Sequence, residues 1–172
     1  MNFSIAQIIA RLWSPRHEVS CSWFLWLRLC AKLRERGRNA SRESGAFLLG
    51  HRKDGRARIV DFILYDDLDP HALDTGIVRF DGRHFGALWD ICKHRGMSVV
   101  ADVHVHPGGA GQSTSDREHP MISRAGHVAL ILPDFARPPV RPEAIGIYRY
   151  LGDKRWHAVP AGVRRAFLHI GL

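Results

Sequence analysis

Apolar residues recur at helical spacing in three stretches of the chain. Phe3–Trp13 carries Ile5, Ile8, Ile9 and Leu12 and stops before Pro15, which predicts a short amphipathic helix. Trp23, Trp26, Leu27, Cys30 and Leu33 predict a second helix to about Arg36, with Ser22 as its N-cap and Gly37 as its terminator. Phe85, Leu88, Trp89 and Cys92 predict a third over about Arg83–Arg95, closed by Gly96. Shorter apolar runs between them read as strands. Ala46–Gly50 and Arg56–Tyr65 flank Lys53-Asp54-Gly55, a hairpin signal, and Ala144–Tyr150 and Trp156–Val159 flank Gly152-Asp153 in the same way. Gly76–Phe80 is a weaker strand and Met97–His106 a strong one. Gly126–Leu132 follows after a loop and a short helical turn, and Ala161–Leu168 reads as a closing helix. Helices and strands interspersed with hairpins predict an α/β fold, a curved mixed sheet packed between helices.

Composition narrows this picture. The 172 residues, 45% of them hydrophobic, suit one globular domain over 1–172, with the first twenty residues as an appended helix. Trp23-Phe24-Leu25-Trp26-Leu27 stops at Arg28, far short of the roughly 20 apolar residues a bilayer span needs. Arg11 interrupts the apolar N-terminal stretch and no small-residue cleavage site follows, so a secretory signal is not expected. Three cysteines without a C-x-x-C pair read as buried thiols in a reducing compartment, and the expected location is cytoplasmic. The net charge of +8 favours anionic partners at long range. Yet the cations are spread from Arg11 to Arg165. The densest run, Arg34-Glu35-Arg36-Gly37-Arg38, is broken by Glu35 and closes a helix, where cations favour the dipole. Charge alone therefore does not argue for a nucleic-acid partner.

The chemistry is concentrated in Ala101-Asp102-Val103-His104-Val105-His106-Pro107 and the residues that follow to Asp116. Strand alternation sends Val99, Ala101, Val103 and Val105 into one layer and Asp102, His104 and His106 towards the other. Two imidazoles two apart on one strand face are poor core material, but they can converge on one metal ion. Asp116, beyond the flexible Gly108-Gly109-Ala110-Gly111-Gln112 loop, is the candidate third ligand. Ser113 and Asp116 form an S-x-x-D arrangement that also reads as a capping box. His119 and Asp102 stand as alternative ligands, although for Asp102 the preferred reading is that it orients a histidine ring from behind or sits at a solvated strand position.

His104-Val105-His106-Pro107 followed by Ser113-Thr114-Ser115-Asp116 resembles the H-x-H-P…S-x-x-D signature of the JAMM metalloproteases, the JAB/MPN-domain family. Five residues separate Pro107 from Ser113, where the commoner family spacing is six. Glu43-Ser44-Gly45-Ala46-Phe47-Leu48-Leu49-Gly50 resembles the family's upstream element, a glutamate shortly before a glycine-containing apolar strand. The resemblance covers roughly 20–150 and points to the compact prokaryotic, deubiquitinase-like branch. It implies a JAB/MPN-like, cytidine-deaminase-like fold in which His104, His106 and Asp116 bind one Zn2+, Glu43 is the general acid–base, and Ser113 donates to the developing oxyanion. The implied activity is hydrolysis of the peptide or isopeptide bond after the C-terminal glycine of a ubiquitin-like protein. The implied partners are such proteins or their conjugates, with associated E1/E2-like enzymes, in bacteria often within antiphage systems; neither a membrane nor a nucleic acid is among them. Three rival readings remain: the same site processing a sulfur-carrier protein or small amide, a non-catalytic MPN-like scaffold, and a metal-dependent nucleic-acid phosphoesterase.

Overall fold

The computed structural model describes residues 17–171, so the helix expected over Phe3–Trp13 lies outside the described residues. The elements in chain order are β1 (Val19–Ser22), α1 (Trp23–Arg36), β2 (Gly45–Lys53), β3 (Arg56–Leu64) and α2 (Tyr65–Leu68). Next come α3 (Phe85–His94), β4 (Ser98–Val105), α4 (Thr114–Glu118) and β5 (Val128–Leu132). The hairpin of β6 (Gly146–Gly152) and β7 (Arg155–Ala158), then α5 (Arg164–Phe167) and β8 (Leu168–Gly171), complete the fold. The strands form one curled eight-stranded mixed sheet in the order β7-β6-β5-β4-β2-β3-β1-β8. β4 runs parallel to β5, and β1 runs parallel to both β3 and β8. The remaining neighbours are antiparallel.

Local chemistry sets the ends of these elements. Ser22 caps α1 by accepting the Leu25 amide at 3.3 Å, and the Gly37 amide closes the other end on the carbonyls of Leu33 and Glu35. Asp54 and Gly55 both adopt positive φ, 51° and 76°, the turn that joins two right-handedly twisted strands in two residues. The second hairpin turns one residue later than expected, at Asp153-Lys154.

Two apolar layers cover the sheet. On one face α1 buries Trp26, Leu29, Cys30 and Leu33 against Leu48, Val103 and Val105. On the other, Phe47, Leu49 and Tyr65 pack with Leu88 and Cys92 of α3. The buried stripe of α1 is therefore rotated from the expected one. Trp26 is core, whereas Trp23 (48% exposed), Phe24 (76%) and Leu27 (47%) face outward, Trp23 and Leu27 lining a groove of about 1000 Å³.

Other expectations are corrected. Gly76–Phe80 is not a strand: Gly76 has φ 85°, and the amides of Val78 and Arg79 go to the Glu43 carboxylate and the Ala72 carbonyl, not to a ladder. The closing helix is shorter, with a turn over Ala161–Val163 and then α5, and its expected last residue, Leu168, opens β8. Val99 does not share a layer with Ala101. A bulge opposite Leu48 and Leu49 places Ala101 and Val99 against them and leaves Val100 extra, so Val100 joins the α1 layer and Val99 the α3 layer. Among the described residues no helix is long and apolar enough to cross a membrane. All three cysteines are free and buried.

Candidate metal centre

The site forms where β4 ends. His104 is the penultimate residue of β4, and the His106 amide still donates to the Leu132 carbonyl of β5 at 2.9 Å. On the other side β2 begins, with Gly45 opposite His104. Carrying that antiparallel register two residues further sets Glu43 opposite His106, which is how a glutamate 61 residues upstream of His104 arrives here. Two contacts fix this corner. The Ser44 hydroxyl donates to the Leu33 carbonyl at 2.7 Å, tying β2 to the end of α1. Gly45 leaves room for the Tyr65 ring and the Val103 carbonyl, both closer than 3.0 Å to where a Cβ would stand.

Asp116 comes from α4, whose capping box is complete. The Ser113 hydroxyl accepts the Asp116 amide at 3.1 Å, and the Asp116 carboxylate accepts the Ser113 amide at 2.6 Å. The same carboxylate reaches both histidines, Oδ1 at 3.3 Å from His104 Nε2 and Oδ2 at 3.3 Å from His106 Nε2. The two Nε2 atoms are 3.0 Å apart. Glu43 is adjacent, its Oε1 3.9 Å from His106 Nε2 and its Oε2 accepting the Val78 amide at 3.3 Å.

These distances suit a cation. A tetrahedral ion with bonds of about 2.0–2.2 Å needs donor atoms roughly 3.3 Å apart, and the 3.0 Å between the two Nε2 atoms and the 3.3 Å from each of them to one Asp116 oxygen lie close to that spacing. His104, His106 and Asp116 thus form a group able to hold a metal ion, with both histidines buried and the carboxylate half-buried. Electrostatics agree. Burial opposes a charged His104, yet the hydrogen bond and charge of Asp116, with the charges of Asp102 and Glu43, hold its proton affinity above the usual histidine range. Burial also opposes ionisation of Asp116, but the two imidazoles and the Ser113 amide keep its carboxyl well below the usual carboxylate range. A negative charge is thereby locked beside two nitrogen donors.

The alternative ligands separate cleanly from this group. His119 is the exposed C-cap of α4 and is no part of the cluster. Asp102 is neither a ligand nor solvated: it is 2% exposed, accepts the Tyr65 hydroxyl at 3.1 Å and pairs with His127 Nε2 at 2.6 Å. It does orient a histidine ring, but that of His127. His104 Nδ1 is buried without a hydrogen-bond partner among the described residues, so no polar group holds that ring from behind. The charge of Asp102 and burial push the Tyr65 hydroxyl well above its ordinary range, burial being the larger effect.

Reasoning from local pattern missed several contributors. His127 lacks ligand spacing, and Tyr148 alternates like any strand residue. Yet His127 closes the Asp102 network, and the Tyr148 hydroxyl donates to the Ala110 carbonyl, in the loop between His106 and Asp116, at 2.8 Å. Nothing in sequence spacing signals either contact, because both join residues 25 to 38 positions apart.

No known protein-family model matches the sequence. A protein of Sinorhizobium fredii named as a probable metalloprotease is 35% identical over 69 residues, covering 40% of this chain. The match spans 43% of that relative's length. A Desulfitobacterium hafniense protein solved in solution superposes with a TM-score of 0.63 at 14% identity, covering 88% of this chain and 92% of its own. This second likeness is one of fold.

Proposed function

We propose that the chain is a zinc-dependent peptidase or isopeptidase of the JAMM type, built as one JAB/MPN-like domain and working in the cytoplasm. The observation that carries this reading is the triangle of His104, His106 and Asp116 with a carboxylate, Glu43, standing 3.9 Å from one of its corners. The name of the S. fredii relative supports a metallopeptidase in general terms. In this reading the triangle holds Zn2+, and the sequence signature narrows the substrate to the bond after the C-terminal glycine of a ubiquitin-like protein, with conjugation enzymes of the E1/E2-like kind as functional companions.

Zinc bound there would supply Lewis acidity and bring the pKa of water from 15.7 to about 7. The chain's own groups do the rest. Glu43 is anchored through Oε2 by the Val78 amide, which leaves Oε1 turned to the centre to take a proton from the attacking water. The same carboxyl then returns that proton to the leaving amine as the amide C–N bond breaks. The Ser113 oxygen already accepts the Asp116 amide, so its O–H is free to donate to a substrate carbonyl oxygen as that oxygen gains charge. Asp116 joins both halves of this arrangement, facing the histidines while fixing the turn that presents Ser113.

Glu43→Gln tests the reading. The amide keeps an acceptor for Val78 but cannot accept the water's proton. The variant should bind zinc like the parent and lose at least about 10²-fold in cleavage of a ubiquitin-like fusion protein. Undiminished cleavage by Glu43→Gln would remove the mechanism.

A further inference from the structure

The stretch from His106 to Asp116 is poorly suited to hold its own shape. It contains Gly108, Gly109 and Gly111, and it leads into a helix of five residues, too short to be stable alone. Asp116 nevertheless sits equidistant from two histidines on a different element. Beyond the capping box and the Arg117 side chain on the Gln112 carbonyl, hydrogen bonds from distant elements fix this stretch. The Asp134 amide donates to the Gly108 carbonyl at 2.9 Å. The Tyr148 hydroxyl of β6 donates to the Ala110 carbonyl at 2.8 Å. The Trp156 indole N–H of β7 donates to the Arg117 carbonyl at 3.1 Å, one residue beyond Asp116.

Gly146 completes the arrangement, because a Cβ there would stand closer than 3.0 Å to the Ala110 carbonyl oxygen. The loop therefore lies directly on the β6 backbone. Tyr150 packs edge-on against Trp156, ring centres 4.9 Å apart, and so steadies the indole.

We propose that the β6–β7 hairpin is the brace that sets the third ligand, with Tyr148 and Trp156 as positioning residues for Asp116. They touch neither the ion nor the substrate and act through the Ala110 and Arg117 carbonyls. The proposal rests on the reading of His104, His106 and Asp116 as a metal site. It assigns to a hairpin that begins 30 residues beyond Asp116 a role in metal affinity that local spacing does not reveal.

Tyr148→Phe and Trp156→Phe each delete one donor while keeping an aromatic ring for packing. Zn2+ affinity, read by competition with a chromophoric chelator, should fall about 10-fold for each variant, in the range typical of groups that support ligands. The visible spectrum of Co2+-loaded protein should change, because the carboxylate no longer meets the ion at the same angle. In metal-free protein, amide exchange over residues 108–118 should quicken while that of β4 and β5 stays constant. A purely structural role would lower the melting temperature and leave the Co2+ spectrum unaltered. Parental affinity, spectrum and exchange in both variants and in the double variant would overturn the brace alone. Failure of the unmodified protein to take up either ion would overturn the metal reading and the brace with it.

Discussion

Asp116 and Ser113 share one capping box but differ in the second duty proposed for each, and this separates the stability of α4 from metal binding. Ser113→Ala removes the acceptor of the Asp116 amide; Asp116→Ala removes the acceptor of the Ser113 amide. A lost helix cap costs about 0.5–2 kcal/mol. At about 2–4 °C per kcal/mol for a chain of this size, each metal-free variant should melt a few degrees below the parent. Only Asp116 also stands 3.3 Å from both imidazoles. A ligand at a hundred times its dissociation constant stabilises the folded state by about 2.7 kcal/mol, or about 5–11 °C on the same scale. Thermal melts with and without Zn2+ should therefore show that rise in the parent and in Ser113→Ala, and lose most of it in Asp116→Ala. An equal rise in all three proteins would refute the assignment of Asp116 as a ligand, whatever happens to the baseline.

Further outcomes follow from other parts of the molecule. Burial pushes the Cys21 and Cys30 thiols up to about 12, Arg34 partly countering this at Cys30, so neither should react with iodoacetamide at pH 8 until the protein is denatured; rapid modification of the native protein would show that the α1 layer opens. Gly50→Ala should destabilise by more than about 1 kcal/mol in urea titration, since a Cβ there would collide with the Arg58 backbone across the β2–β3 bulge. Because His104 holds its proton above the usual range in the metal-free protein, Zn2+ bound as proposed would have to displace that proton. Calorimetry in buffers of different ionisation enthalpy should record proton release, and affinity should fall with decreasing pH from above the ordinary imidazole range. The metal-free protein shows the opposite sign. The raised His104 value stabilises it at lower pH, and that contribution disappears as pH rises through the elevated value.

Much of this architecture is written locally. Ser22 and Gly37 bracket α1 because a hydroxyl acceptor and a terminator are local chemistry, and Asp54-Gly55 announces its hairpin because few residues tolerate positive φ in succession. The H-x-H pair is legible because strand alternation alone puts both rings on one face. What escaped depends on distant partners. β1 and β8 are four-residue strands stabilised by parallel pairing, β1 to β3 and β8 to β1. The bulge that moves Val99 to the α3 layer is a property of the β2–β4 register, not of β4. Val78 and Phe80 carry apolar side chains like a strand, yet the Val78 amide serves Glu43. The roles of His127, Tyr148 and Trp156 likewise exist only once β5, β6 and β7 are assembled.

The central claim is that His104, His106 and Asp116 hold a metal ion within reach of Glu43. Elemental analysis of the purified protein, beside the double variant His104→Ala/His106→Ala, tests it most directly. The parent should carry one equivalent of zinc per chain, removable by chelator and restored on addition, and the double variant none. A folded parent that cannot be loaded, or a double variant that keeps its zinc, would contradict it.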